Sequence, residues 1–343
     1  MNSESFKEIG PGILCAFSLF NHVYDCNKQI LGEHLCMSIR IPFIKTSFGY
    51  MSVIERDADI LNEISIEFQD NSPSFLTNLW PYDSIEKIVL RGDEYFQLEW
   101  TGLELFALNN TSKSTKYREK ENKTRNKTIS LKFVKFPLAH CLTRLSVEVH
   151  LPKIFSGTYP QLLRKDVTIF HNFRRENIIL KTLSKDLYIP FQSYCFSSFS
   201  KEIKTNESNL ITHEFKIGGN RKIIGFMFGC YLEGAQRKWN FVPVVNLQIW
   251  VGNDLFVDEN EAEILRQMRK NNRKIDLDNP IYDWTLNTLT TYISTERLTD
   301  TLRFNITFKN QKNIGEGIPF IILRQRDSFM INKYSGILYY DTP

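Results

Sequence analysis

The chain has 343 residues, 42% hydrophobic and 13% aromatic, which is ample for burying cores and longer than a usual single domain, so two domains are the natural expectation. Its net charge is +4, but residues 111–132 carry eight Lys or Arg against Glu119 and Glu121, a local +6 that leaves the rest at −2. That distribution excludes a basic stripe with interleaved aromatics of the kind a general nucleic-acid binder needs, and no specific nucleic-acid partner is expected. The six cysteines, with no C-x-x-C pair and no framework spacing, exclude a fold held by disulfides and point to a reducing compartment.

In chain order, residues 1–10 form a polar arm and 11–30 an opening strand and turn. ILCAFSLF at 13–20 lacks a basic flank and is too short to span a bilayer, so neither a signal peptide nor a membrane anchor is expected. Apolar runs at 35–54 read as strands. At 60–68, Ile64, Ile66 and Phe68 alternate with Ser65 and Glu67, the pattern of a strand with one wet face. Pro73 and Pro81 mark 69–84 as a connection. Residues 85–110 predict a strand, a Gly-Asp turn, a second strand and a helix near 99–109, followed by a basic loop over 111–128 whose charges lack apolar neighbours. Strands are expected at 129–138, 142–152 and around Val167, Ile169 and Phe173, with a connection over 153–163. The first domain spans 11–182. The second spans 183–343 and begins with a Ser-rich crossing at 184–217, then a strand at 223–233. In 245–270 the strand, turn, strand and helix return, the helix near 259–270 opening on an Asp258/Glu261 capping box and ending in Arg266, Arg269 and Lys270. Leu302, Phe304, Ile306 and Phe308 then make a strictly alternating strand, and PFIILRQ and GILYYDTP close the chain as strands.

The two hairpin–helix stretches align without a gap at an offset of 160, which places Gly92 on Gly252, Asp93 on Asn253, Phe96 on Phe256, Glu99 on Glu259 and Leu105 on Leu265. Such a pattern is the mark of an internal repeat.

Sites for chemistry are not visible in the sequence. Phosphate-loop, zinc-protease, nucleophile-elbow and dinucleotide motifs do not occur, and the six histidines are never spaced i,i+2 or i,i+4. Carboxylate pairs at Asp57/Asp59, Glu261/Glu263 and Asp276/Asp278 fit solvated turns and helix faces better than acid–base work. Neither a cofactor nor a metal is expected.

Two β domains in tandem, each with a helix after its central hairpin, resemble the double jelly-roll major capsid proteins of the nucleocytoplasmic large DNA virus and adenovirus-like lineage. An Arg-x-x-Asp-Leu signature of that family is similar to Arg56-Asp57-Ala58-Asp59-Ile60-Leu61 ahead of the strand at 64–68. Its hairpin motif is similar to Ile85–Gly92 with Tyr95 and Trp100, and its Pro-Leu and acidic-Val-x-Ile strands to Phe136-Pro137-Leu138 and Asp166-Val167-Thr168-Ile169. Its ending is similar to Asn332, Gly336 and Tyr339-Tyr340, and Gly252 holds the turn of the second copy. The order is kept from about residue 11 to 343, although the Asn-Pro-Gly stretch after the Pro-Leu strand is missing and the chain is short for the family.

The resemblance implies an all-β fold of two tandem eight-stranded antiparallel jelly-roll sandwiches with short helices after the central hairpins. It also implies a non-enzymatic shell protein of the virion, forming homotrimers, then a lattice of trimers, with minor capsid proteins or an internal membrane as further partners. A minor capsid protein or membrane-associated assembly scaffold of the same fold is one alternative. A peptide:N-glycanase-like carbohydrate-active protein built from two jelly rolls is another, of a different class.

Overall fold

A computed structural model of the chain describes residues 34–71, 79–110, 126–131, 136, 138, 141–152, 157–170, 187–197, 201–204, 210–217, 223–233, 239–271, 280–285, 302–309, 317–335 and 337–341. The expected arm at 1–10, the opening strand at 11–30, the body of the basic loop, Pro137 and Gly336 lie outside the described residues.

Among the described residues, nine strands and one α-helix come first: β1 (His34–Pro42), β2 (Ile44–Lys45), β3 (Tyr50–Ile54), β4 (Ile60–Asp70), β5 (Lys87–Gly92), β6 (Phe96–Thr101), α1 (Gly102–Asn110), β7 (Asn126–Leu131), β8 (Leu145–His150) and β9 (Thr158–Phe170). They pair into a four-stranded sheet, β1-β9-β4-β7, and a five-stranded sheet, β2-β3-β8-β5-β6. The pairs are nested: β5 with β6, β4 with β7, β3 with β8, and β1 with β9, each antiparallel. A long hairpin rolled up on itself gives this order, which is the jelly roll.

The second series is β10 (Leu187–Ser197), β11 (Lys201–Lys204), β12 (Leu210–Ile217), β13 (Ile223–Glu233), β14 (Trp239–Val242), β15 (Val244–Val251), β16 (Asp254–Asn260), α2 (Glu261–Lys270), β17 (Tyr282–Thr285), β18 (Leu302–Lys309), β19 (Gly317–Ile331) and β20 (Leu338–Asp341). One sheet runs β10-β19-β13-β14, with β17 also on β13 and β20 on β19; the other runs β11-β12-β18-β15-β16. The nesting repeats: β15 with β16, β13 with β17, β12 with β18, β10 with β19. The nested pairs of the second half follow the order of the first, and β14 and β20 are additions with no counterpart among the first half's described strands.

Alternation explains which faces are inside. Ile64, Ile66 and Phe68 on β4 are fully buried, as are Phe304 and Ile306 on β18, with Leu302 and Phe308 nearly so. Arg303, Asn305 and Thr307 point the other way and are half-buried. A buried side chain is worth roughly 1.5–3 kcal/mol over an exposed one, so a one-residue slip of either strand, which would turn these rows outward, is strongly disfavoured.

The structure corrects the sequence reading of several elements. Residues 158–163 are strand rather than connection, with Pro160 at a register irregularity opposite Phe68, where a missing N–H is tolerated. The Ser-rich stretch 184–217 carries β10, β11 and β12, whose polar residues fall between apolar ones instead of forming a linker. Residues 126–128, expected to be the end of the basic loop, belong to β7, and Lys127 donates from Nζ to the Trp80 carbonyl at 2.6 Å. The helix expected from 99 begins at Gly102, because β6 continues through Thr101.

Candidate functional site

The two hairpin–helix units share more than topology. Lys87 pairs with Thr101, Val89 with Glu99 and Leu90 with Leu98; at an offset of 159, Asn246 pairs with Asn260, Gln248 with Asp258 and Ile249 with Val257. The left-handed turn residues, Asp93 (φ 44°) and Gly252 (φ 58°), obey the same offset. So do the caps. Thr101 Oγ1 accepts from the Glu104 N–H at 3.2 Å while the Glu104 carboxylate accepts from the Thr101 N–H, and Asn260 Oδ1 accepts from the Glu263 N–H at 3.1 Å while Glu263 accepts from the Asn260 N–H. The second box is therefore Asn260/Glu263, not Asp258/Glu261, and the alignment at 160 runs one residue off. The first hairpin turns through three residues and the second through two, and the second recovers the missing residue as a bulge at Phe256.

Surroundings divide the two units. In the first, Phe96 lies 5.0 Å from Phe329 of β19, and Phe106 of α1 stacks on Phe241 of β14 at 5.5 Å, with Trp239 at 6.2 Å. Phe136 meets Phe329 edge-on at 6.3 Å. These rings join the halves in one apolar cluster that also takes in Met227, Ile281, Phe320, Ile322 and Ile331. On β19, Phe320 and Ile322 face the joint while Ile321 and Leu323 face the second half's own core. Beside this cluster Arg324 Nη2 donates to Asp283 at 2.6 Å and to the Trp284 carbonyl at 3.2 Å, a buried pair with both charges hydrogen-bonded. In the second unit Leu255 and Phe256 are 43% and 44% exposed, only Ile264 and Met268 of α2 are buried, and Arg266, Arg269 and Lys270 face solvent.

The motif positions named from the sequence do not converge on one site. Three lie about β9. Arg56 donates to the Cys141 carbonyl at 3.2 Å, its neighbour Asp57 pairs with the fully buried Lys165, and Lys165 also donates to the Glu55 carbonyl at 3.0 Å. Asp59 is buried, its N–H bonded to the Thr168 carbonyl at 3.1 Å. Asp166, on the outer side of β9, is held by both ends of the Arg164 guanidinium at 3.2 Å. Lys165, through Asp57 and the Glu55 carbonyl, and the Asp59 N–H, through Thr168, fasten the β3–β4 connection to β9, whereas Asp166 pairs within its own strand. Gly92 and Trp100 belong to the first hairpin. A Cβ on Gly92 would sit 1.9 Å from the Phe96 ring, so glycine here is a requirement of packing, while Trp100 is buried opposite Ile88. Gly252 sets the second hairpin's turn. Asn332 Oδ1 accepts from the N–H groups of Tyr334 and Ser335, closing the turn between β19 and β20. Each described motif residue is held by a turn, a packing contact, a backbone bond or an ion pair.

The titratable groups tell the same story. Burial pushes the Cys141 thiol up to about 11 and the Cys230 thiol up to about 12, so both stay protonated and inert at neutral pH. Tyr282 is raised by burial, its hydroxyl accepting from the Val244 N–H at 3.1 Å. Glu148 is desolvated, yet hydrogen bonds from Arg91 and His150 outweigh that and hold it below the ordinary carboxylate range. These are groups fixed in place by structure.

Sequence reasoning missed the aromatic joint. Its signals were present: four consecutive apolar residues, Phe320 to Leu323, in a strand that would otherwise alternate, and a helix, GLELFALNN, with no continuous polar face.

No protein-family model and no curated protein sequence matches the chain. Among solved structures it is similar to VP54 of PBCV-1, as fitted into a reconstruction of the virophage Sputnik, with a TM-score of 0.65 and 8% identity, covering 90% of this chain and 97% of that one. It is also similar to the STIV major capsid protein (0.53, 11% identity, 86% and 96% covered) and to the Faustovirus major capsid protein (0.51, 7% identity, 96% and 100% covered). At these identities the likeness is one of fold, and the fold is the double jelly roll expected from the sequence.

Proposed function

We propose that this chain is a viral structural protein, the major capsid protein of an icosahedral shell, with its two sandwiches falling in 11–182 and 183–343 and no catalytic activity of its own. The observation that carries this reading is the pair of jelly rolls of equal strand order fused through one apolar joint, matched over 86–96% of the chain by two major capsid proteins and VP54. Nested antiparallel sandwiches make stiff walls with short edges, and two locked side by side make a block whose flanks repeat. Three such blocks about an axis give a tile with six similar sides, suited to a closed lattice. The protein itself is thus the main partner, first as a homotrimeric, pseudo-hexagonal capsomer and then as a lattice of trimers in the virion, with minor capsid proteins or an internal membrane beneath.

Electron microscopy of concentrated protein, alone and on lipid vesicles, tests the reading. Arrays with a three-fold repeat in the absence of lipid are the expected result. A honeycomb formed only on vesicles would reassign the chain to an assembly scaffold of the same fold. Dispersed particles together with release of glycans from a glycopeptide would overturn both.

A further inference from the structure

A strand at the edge of a sheet offers unpaired N–H and C=O groups to any other strand unless charge, proline, shortness or a neighbour guards it. Most edge strands of this chain are guarded. β6 carries Glu99, β7 carries Lys127, β11 carries Lys201, Glu202 and Lys204, and β16 carries Asp254, Asp258 and Glu259. β2, β17 and β20 are very short, β10 holds Pro190, and β14 lies against Phe106 in the joint. β1 differs from all of these. It pairs with β9 on one side, its first charge is Arg40, and Leu35 to Ser38 stand exposed with neither charge nor proline, Leu35 at 57% and Met37 at 41%.

The face on which Leu35 and Met37 stand is the core face of β1. Ile39 and Ile41, next in the same row, pack on the apolar core, so the row is apolar throughout and covered only at its far end. A strand set beside β1 with an apolar row of its own would carry the core over Leu35 and Met37. The chain has such a stretch just upstream. Ile13, Cys15, Phe17 and Leu19 alternate with Leu14, Ala16, Ser18 and Phe20, without a charge, with Pro11-Gly12 before and Asn21 after, a length between breaks that suits a strand better than a helix. Residues 21–33 then hold Asn21, Asp25, Asn27 and Gly32, residue types that reverse a chain.

We propose that residues 13–20 add to the open edge of β1 as an antiparallel strand of the same chain. Parity sets the register. With Phe20 opposite His34, Leu19 faces Leu35, Phe17 faces Met37, Cys15 faces Ile39 and Ile13 faces Ile41 on the core side, while Ala16 and Ser18 face Ser38 and Cys36 on the wet side. A slip of one residue would put Ala16 and Ser18 where the larger Phe17 and Leu19 belong. The inference does not depend on the shell reading. Its consequence is that the least guarded edge is closed within the chain and withheld from strands of other molecules.

Hydrogen exchange read by mass spectrometry on the full chain, over a series of dilutions, tests this. Amides of 13–20 and of 34–41 are expected to be protected together, exchanging about tenfold or more slower than an unfolded chain. Phe17→Asp with Leu19→Asp should release both stretches, whereas Ala16→Asp with Ser18→Asp, on the wet side, should release neither. Protection of β13 and β18, which the added strand does not touch, shows that each variant is folded. Should the first pair unfold the chain, Phe17→Ser with Leu19→Ser takes its place. Exchange of 13–20 at the rate of an unfolded chain in the wild type would overturn the proposal, and equal effects of the two variant pairs would overturn its register. Protection that vanishes on dilution would assign the strand to a second copy and overturn closure within the chain.

Discussion

The hairpin and helix at 87–110 and those at 244–270 are one backbone device in two environments. Strand pairing, the left-handed turn residue and the reciprocal cap agree at a constant offset, yet α1 is buried on every side and α2 is wet along one face. The caps and turns are local chemistry, paid for by hydrogen bonds within a few residues, and they persist in either setting. Side-chain character follows the neighbours instead. Where another sandwich covers the unit, the residues are Phe96, Trp100, Leu105 and Phe106; at the free end, charges surround a small apolar tip.

The largest effect should come from the joint. Phe106→Ala is expected to cost about 3–5 kcal/mol by denaturant unfolding, since the ring is buried between halves, whereas Phe256→Ala should stay within about 0.5 kcal/mol in the isolated chain. Equal losses would erase the distinction between the two units.

Next come the two glycines, needed for different reasons. At Gly92 the obstacle is the Phe96 ring, pinned by Phe329, so Gly92→Ala and Gly92→Asn should both cost about 1–3 kcal/mol. At Gly252 the obstacle is a φ of 58°, so Gly252→Ala should cost about 1–2 kcal/mol and Gly252→Asn much less, because asparagine tolerates that conformation. The discriminating measurement is the asparagine pair in one set of urea titrations.

A smaller and more even loss is expected at the caps. Thr101→Ala and Asn260→Ala should each remove about 1 kcal/mol, read from thermal melts. A silent Asn260→Ala would mean that α2 is held by Ile264 and Met268 alone.

The smallest effect is in pH dependence. Burial raises the Glu104 carboxyl above its ordinary value of 4.5 despite the Thr101 hydrogen bonds. With the folded value above the unfolded one, the native state holds the extra proton between the two. Stability should then fall as pH rises from about 4.5 through the folded value and level off beyond it. Glu104→Gln should abolish that slope, and an unchanged slope would show that another group carries it.

Much of this was legible in the sequence for identifiable reasons. The rows Ile64-Ile66-Phe68 and Leu302-Phe304-Ile306-Phe308 each have one wet face, so their period of two showed through, and Gly-Asp and Gly-Asn announced the hairpins. The capping box was misplaced because Asp258 and Asn260 are both good caps followed by Glu three residues on, and only the point where β16 stops pairing with β15 chooses between them. Strands at 187–217 were hidden by serines and by Pro190, whose composition is that of a loop. For the motif residues, the sequence supplied positions and the structure supplied roles: Asp166 answers Arg164, and Asp59 is tied to β9 by a backbone bond.

By itself the sequence determined a β-rich chain of two similar halves, the hairpin turns, and the alternation that orients its clearest strands, because these depend on backbone sterics and on residues close in the chain. Which apolar faces meet was decided only by the tertiary structure. Phe96 and Phe256 are alike in one dimension. The first is buried because Phe329, far along the chain, folds back over it, and the second stands 44% exposed among the described residues of its own half. Hydrophobic free energy records the area removed from water, and no pattern of residues states which distant surface will remove it.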